Sequence, residues 1–490
     1  MRKIKVLTEN ETKEIAVAKG TNLLEALRKA GFVLPADCGG KRTCRKCQVI
    51  LNSQNVLACQ TLVEEDAVVE LTPMSIEKGY DFIKQIEIDL NHAYGIACDI
   101  GTTSIACYLV DLDTYAICDY FTDFNHQVAF GADVITRIDQ CRLGNLPILH
   151  HTIINQLVRV VEYFLSKHNL TEIKRMYVSC NTTMAHLLAG IDPSPIGQAP
   201  FTPVFTNTFL LENTKLNAYI TNIVILPSVG AYLGSDILAG ILASRMLETN
   251  KNALLIDIGT NGEIILKTGQ QLYGCSTAAG PAFEGGRISC GMAAIPGAIN
   301  EVQLIDGKVK LKTVEGKPKG ICGCGLVDLI AVMRKEKLLD CSGALQKSSS
   351  PLSKKIKNDV FYVTDEIYLS QKDVREFQLA KSAIISGILS LATTARISLD
   401  QIETVYLAGG FGFYLNLDNA YSVGLLPETF RGKVRSIGNA SGMGAKICLT
   451  HPDNIAKLEQ IAKAVKPIEL SNSSVFFSYF TDNMSFGREE

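Results

Sequence analysis

The sequence contains no run of apolar residues near the roughly 18 that a membrane span requires. Its opening residues, Met1-Arg-Lys-Ile-Lys-Val-Leu-Thr-Glu-Asn10, lack the hydrophobic segment of a secretory signal. An excess of either charge is also missing, since 48 Lys and Arg stand against 50 Asp and Glu, a net −2 at pH 7. There is thus no electrostatic case for a partner nucleic acid or membrane surface. No low-complexity tract interrupts the 490 residues, and 47% hydrophobic with 20% charged residues excludes a wholly disordered chain. These absences leave a soluble, cytoplasmic protein of several domains as the expectation. Cysteine, by contrast, is plentiful, with fifteen residues. In a chain expected to sit in a reducing compartment, that number argues for thiols and a metal site before disulfides.

Polar and apolar positions alternate in residues 2–8 and 12–18 around Glu9-Asn10-Glu11, which predicts a hairpin with one wet face. A short helix is expected next, capped by Thr21, with Leu23, Leu24, Leu27 and Ala30 on one side and Gly31 as its stop. This first unit closes near Pro73, giving a domain over 1–73. Residues 74–93 read as a charged linker that adds either an edge strand or a helical turn. From Tyr94 the pattern becomes α/β, with short apolar strands at 95–100, 104–110, 253–258, 262–266 and 404–408. Helical spacing marks 151–167, 235–247, 326–337 and 371–397. A strand, a tight glycine turn and a second strand occur at 95–110 and again at 253–266, so 94–490 is expected to be two related lobes with their boundary near 250.

Cys38, Cys44, Cys47 and Cys59 have the spacing C-x5-C-x2-C-x11-C. Gly39 and Gly40 let backbone amides turn toward the sulfurs, and Cys59 returns from a following strand. Four sulfur ligands suit an iron–sulfur cluster or zinc. Zinc knuckles use two C-x2-C pairs, whereas only Cys44 and Cys47 are so paired here, and the long glycine-bearing first gap is the ferredoxin habit. Over about 1–73 the chain resembles the 2Fe-2S ferredoxins of β-grasp fold, nearer the adrenodoxin spacing than the plant-type one, although its last gap is shorter than those proteins use. Lys41, Arg42, Arg45 and Lys46 flank the ligands; they either favour the reduced cluster and meet an acidic partner or balance local charge. The other cysteines, including Cys98, Cys107 and Cys118 in strands and the pair Cys322-Gly-Cys324, are expected to be small buried hydrophobes. His150 and His151 are expected to face solvent or to cap a helix.

Asp99-Ile-Gly-Thr-Thr-Ser104 and Asp257-Ile-Gly-Thr-Asn-Gly262 are two hairpin turns of one design, and neither is a Walker loop. In such a turn, amides of Gly101, Thr102 and Thr103, or of Gly259, Thr260, Asn261 and Gly262, can face a phosphate, with a threonine hydroxyl as a further donor. The aspartate at each strand end can hold Mg²⁺ through its water shell. A third stretch, Val405-Tyr-Leu-Ala-Gly-Gly-Phe-Gly412, ends a strand in glycines that admit a flat base and a ribose. The ordered set is similar to the superfamily of actin, the heat-shock ATPases and the sugar and acetate kinases, over about 94–490. That resemblance implies a ribonuclease-H-like, actin-like ATPase core with ATP between two lobes, Mg²⁺ near Asp99 and Asp257, and adenosine against Gly409, Gly410 and Phe411. Asp236 and Glu284 are candidates for activating the attacking water, or else cap and brace their loops. Gly-rich Ser289–Ala293 and Gly410–Tyr414 are candidate moving loops, or else structural turns.

A ferredoxin-like unit ahead of this core resembles the ATP-dependent reductive activators of corrinoid proteins. Asn181–Gly190, Pro200–Phe205, Ser276–Met292 and Gln371–Lys381 carry the likeness across nearly the whole chain. It implies an ATP-hydrolysing iron–sulfur enzyme that returns one electron to the inactive Co(II) of a corrinoid protein in a methyltransferase system, restoring Co(I). It further implies an upstream electron donor and allows a homodimer. Electron delivery to another acceptor, a redox-regulated small-molecule kinase, and a scaffold ATPase remain alternatives. Activators of acyl-CoA dehydratases offer a parallel but lack the N-terminal cysteine pattern.

Overall fold

In the computed structural model the first sheet has five strands in the order Thr12–Val17, Arg2–Leu7, Ala67–Glu70, Gln48–Leu51 and Gln54–Leu57. The structure describes residues 1–8, 12–32, 34, 36, 40, 47–71 and 88–487. The first two strands form the expected antiparallel hairpin, and Ile4 and Val6 supply its dry face. The first strand also pairs in parallel with Ala67–Glu70, and the helix Leu23–Lys29 packs Leu23, Leu24 and Leu27 into the same core. First and last strands side by side, with a helix crossing over them, give the β-grasp arrangement. The helix cap differs from expectation. Asn22, not Thr21, accepts from Leu24 N (3.1 Å) and Glu25 N (3.3 Å), while Thr21 Oγ1 donates to Ala18 O (2.8 Å). The turn Glu9-Asn10-Glu11, the end at Pro73 and most of the linker lie outside the described residues.

Two six-stranded sheets follow. One runs Ile117–Phe124, Ser104–Asp111, Tyr94–Ile100, Arg175–Cys180, Asn222–Ile225, Phe209–Leu210. The other runs Val434–Gly438, Thr404–Ala408, Ala253–Ile258, Gly262–Thr268, Gln271–Thr277, Val465–Pro467. In each, the strand that ends in an aspartate turn is antiparallel to the next strand of the chain and parallel to a third one. This repetition places the two glycine turns at equivalent ends of the two sheets. Helices Ser235–Ser244 and Ala440–Thr450 fill the space between the sheets, and their residues share one core with Tyr108, Leu255, Ile265 and Tyr406. They approach closely because Gly444 has no side chain: a Cβ there would lie 2.2 Å from Ala239 O.

Helix limits move at several ends for local reasons. The helix expected from His151 begins at Leu146, with Pro147 in its first turn, so His150 and His151 sit inside it and cap nothing. His150 Nδ1 lies 3.2 Å from Leu187 O and His151 is exposed. Arg245 and Arg396, both left-handed, end their helices at Ser244 and Ala395, and the helix expected from Leu326 runs Gly323–Lys335. Gly410–Tyr414, expected as a moving loop or a structural turn, lies in a short helix, Gly409–Tyr414, despite its glycines. Cys98, Cys107 and Cys118 are buried in strands as expected, and the pair Cys322 and Cys324 is buried at the start of the helix Gly323–Lys335. Among the described residues, no helix is long and apolar enough to cross a membrane.

Candidate active site

The turn after Tyr94–Ile100 is closed by Gly101 N donating to Ser104 O (2.9 Å), and its counterpart by Gly259 N donating to Asn261 O (2.9 Å). Gly101 is obligatory on steric grounds, since a Cβ there would sit 2.9 Å from Ser104 O. Across the cleft the turns meet at one side chain. Glu284 Oε2 accepts from Thr103 Oγ1 (2.8 Å) and from Thr260 Oγ1 (2.5 Å), and the two hydroxyls lie 3.5 Å apart. Glu284 ends the 3-10 turn Pro281–Glu284, so a single carboxylate clasps both hairpins.

Carboxylates accumulate behind this clasp. Burial raises the pKa of Asp99, and hydrogen bonds from Ser441 and Asn439 oppose the shift. Ser441 Oγ donates to Asp99 Oδ1 (2.7 Å) and lies 2.9 Å from Ser179 Oγ. Asp236 opens the helix Ser235–Ser244; burial, and then the charge of Asp99, push it up to about 7. Asp257 also rises to about 7, through burial first and then the charges of Asp236, Asp99 and Glu284. Glu284 is raised by burial against the two threonine donors. Four acids singled out in the sequence therefore share one electrostatic neighbourhood. Glu263 was missed. It pairs with Asp257 across the hairpin, and burial together with Asp236 and Asp257 raises its pKa strongly. Gly234 permits this crowding, because a Cβ there would meet Asn181 Cα at 2.5 Å and Asp236 Oδ1 at 2.8 Å.

The first turn is supported by residues that the sequence pattern did not disclose. Asn181 Nδ2 donates to Thr102 Oγ1 (3.0 Å). Asn125 Nδ2 donates to Gly101 O (2.8 Å) and Asn125 N to Thr103 O (2.9 Å). Arg137, fully buried, donates to Thr102 O through Nη2 and to Gly131 O through Nε (2.9 Å). In the second lobe Gly409 follows Thr404–Ala408 with φ +85°, and a Cβ on it would lie 2.9 Å from Asp257 Oδ1. Gly410 is open, with no atom within 4 Å of its Cβ position. Phe411 stacks on Phe283 at 4.8 Å, which ties the glycine turn to the segment carrying Glu284. The Ser289–Ala293 segment is braced rather than loose at its start, since Asp373 Oδ1 accepts from Ser289 N (2.8 Å) and Oγ (3.0 Å).

Of the four clustered cysteines, Cys47 and Cys59 are described, and both are buried. Cys59 N donates to Cys47 Sγ (3.4 Å), and Asn22 Nδ2 holds Cys59 O (3.0 Å), so the helix cap also fixes Cys59. A buried sulfur that accepts an amide hydrogen bond, as Cys47 Sγ does, fits a thiolate ligand of an iron–sulfur cluster. Cys38, Cys44 and the basic residues Lys41, Arg42, Arg45 and Lys46 lie outside the described residues. Gly40, between Cys38 and Cys44 in the sequence, has φ +94° and faces Leu24 and Arg28 of the helix.

A β-grasp unit with buried paired cysteines, joined to two repeated lobes around a carboxylate-lined cleft, defines an iron–sulfur protein with an actin-like ATPase core. Family models agree along the chain: residues 7–71 match the 2Fe-2S iron-sulfur cluster binding domain, 94–249 the RACo middle region, and 251–490 the C-terminal domain of RACo, the ASKHA domain. The corrinoid activation enzyme RamQ of Eubacterium limosum is 34% identical over 435 residues, covering 83% of this chain and 72% of that one. The [Co(II) methylated amine-specific corrinoid protein] reductase of Methanosarcina barkeri is 25% identical over 432 residues, covering 80% and 77%. A solved reductive activator for corrinoid, iron-sulfur protein superposes with a TM-score of 0.73 at 27% identity, covering 98% of both chains. The chain belongs to the RACo family.

Proposed function

We propose that this protein couples ATP hydrolysis to one-electron reduction of a partner corrinoid protein, converting its inactive Co(II) to Co(I) for methyl transfer. The observation that carries this reading is the presence, in one RACo-family chain, of a ligand-type cysteine pair and a cleft where one carboxylate joins two phosphate turns. Residues 1–73 are the electron-carrying unit, 74–93 the connector, and 94–490 the ATPase, whose lobes meet near 250. Cys38, Cys44, Cys47 and Cys59 would hold the cluster, which supplies storage and release of one electron. An upstream reductant recharges it.

The energetics explain why ATP is needed. Plant-type 2Fe-2S centres lie near about −400 mV, and each further 59 mV of uphill one-electron transfer costs about 1.4 kcal/mol. ATP offsets such a gap only if its bound states favour different conformations of the protein or its partner. The cleft offers that difference. The turns Gly101–Thr103 and Gly259–Gly262 take the phosphates, Gly409 and Gly410 the adenosine, and lobe closure follows because both turns then grip one ligand. Asp99 and Asp257 would hold Mg²⁺ through water; their hard oxygens, crowded and raised in pKa, suit a divalent cation that supplies charge neutralisation for the phosphates. Glu284, which joins the two turns, orients or deprotonates the attacking water in this reading.

Glu284→Gln tests that last role. ATP turnover should fall by about a hundredfold or more, with nucleotide affinity unchanged or tighter because a negative charge leaves the phosphate site. A residue that merely braces the loop would lose affinity and turnover together. The function as a whole is tested by anaerobic reconstitution: a 2Fe-2S visible and electron-paramagnetic-resonance signature is expected, with ATP hydrolysis that rises when a Co(II) corrinoid protein is added. A protein that stays colourless after reconstitution, or whose hydrolysis ignores every corrinoid partner, would contradict the proposal.

A further inference from the structure

The 3-10 turn His126–Ala129, capped by Asn125, touches both functional halves of the molecule. On one side its cap, together with Arg137 of the helix Val134–Gln140, holds the first phosphate turn at three consecutive carbonyls. Asn125 Nδ2 and N donate to Gly101 O (2.8 Å) and Thr103 O (2.9 Å), while Thr102 O accepts from Arg137, which is itself anchored on Gly131 O (2.9 Å) and Gln127 Oε1 (3.3 Å). On the other side the same segment receives the β-grasp unit. Arg28, in the last turn of the helix Leu23–Lys29, donates through Nη2 to Ala129 O and lies over the Phe130 ring at 5.0 Å. Its other flank meets the ligand loop, where a Cβ on Gly40 would lie 3.8 Å from Arg28 Nη1. Through Arg28, this one short segment thus connects Gly40 and the helix Leu23–Lys29 with the phosphate turn.

Resting on the function proposed above, we propose that Ala129–Phe130 is the docking surface of the cluster-bearing unit, latched by Arg28, and that nucleotide phosphates at Gly101–Thr103 loosen it. The direction follows from which groups compete. Thr103 and Thr260 now donate to Glu284, and a phosphate claims the same hydroxyls, so the first turn must shift away from the carboxylate. Its three carbonyls carry Asn125 and Arg137 with them. Arg137 donates here to neutral acceptors, among them Thr102 O, Gly131 O and Gln127 Oε1, so an arriving anion draws its guanidinium toward the turn and away from Gly131. The seat of Arg28 is displaced, and the cluster-bearing unit is freed to approach an acceptor outside the chain. Coupling of this kind is reciprocal, so undocking must in turn favour nucleotide binding by the same factor.

The test uses the full, reconstituted chain and hydrogen–deuterium exchange with and without a non-hydrolysable ATP analogue. In the wild type the analogue should speed exchange across 23–29 and 126–131 by about fivefold or more, the lower end of ordinary allosteric coupling. Arg28→Ala, and Arg28→Met, which keeps the apolar stem, should exchange fast without the analogue, lose the response, and bind the analogue tighter by a matching factor. Both variants should retain the wild-type cluster spectrum, which guards against misfolding. Unchanged exchange in a wild type that binds the analogue, or variants indistinguishable from wild type in exchange and affinity, would overturn the docking proposal alone. A wild type that binds no analogue or assembles no cluster would overturn the functional reading on which it rests.

Discussion

Asp257→Asn is expected to lower partner-stimulated ATP hydrolysis by about a thousandfold, the scale on which charged groups acting at a phosphate transition state are felt. Asp257 closes the strand Ala253–Ile258, faces Glu263 across the hairpin and abuts the Gly409 turn. Asparagine keeps its shape and removes its charge. The same substitution should stabilise the fold in the absence of nucleotide and metal. Burial and neighbouring carboxylates raise Asp257 to about 7, so the folded protein holds a proton that the unfolded chain releases near pH 4. Between those values the native state binds more protons, and stability falls as the pH rises toward about 7. Asparagine escapes this loss, so its melting temperature should exceed the wild-type value most clearly at pH 8 without magnesium, and the gap should narrow when magnesium and nucleotide are added. Equal hydrolysis in wild type and variant would remove Asp257 from the site.

Cys59→Ser is expected to abolish Co(I) formation while leaving ATP binding intact. Cys59 is buried, its carbonyl is held by Asn22, and its amide donates to Cys47 Sγ, so replacement alters a ligand position set by the helix cap. Serine offers an oxygen where an iron–sulfur cluster needs sulfur. The visible spectrum should be lost or strongly altered, and nucleotide affinity in the lobes should stay within about twofold, because the partners that hold Cys59, Asn22 and Cys47, belong to the first unit. Normal partner reduction by this variant would refute the electron-carrying role of the first unit.

Local features were legible in the sequence, and features made by long-range packing were not. The strands Ala253–Ile258 and Thr404–Ala408 could be read residue for residue, because runs of Leu, Ile, Val and Tyr end abruptly in Asp or Gly. The paired hairpins were equally plain, since Gly followed by Thr marks a turn without outside help. Thr21 was a poor guide because its hydroxyl donates to Ala18 O and the next residue, Asn22, takes the helix amides; two adjacent cap-type residues do not tell the sequence reader which of them starts the helix. The short helix Gly409–Tyr414 was hidden by glycines, which disfavour helix by about 1 kcal/mol each. Glu263 and Arg137 left a fainter signal. Each is a charge in an apolar stripe, Glu263 before Ile264-Ile-Leu266 and Arg137 between Val134 and Ile138, and a charge in such a stripe needs a partner that the sequence does not name. Asn125, Asn181 and Ser441 carry no such mark, because their contribution to the cleft depends wholly on which turn the fold sets beside them.

The most direct measurement is the appearance of Co(I) absorbance in an anaerobic mixture of reduced protein and Co(II) corrinoid protein, followed with ATP, with the non-hydrolysable analogue, and with no nucleotide. Full conversion is predicted with ATP, at most partial conversion with the analogue, and little without nucleotide. The same yield and rate in all three mixtures would contradict the coupling of nucleotide to electron transfer.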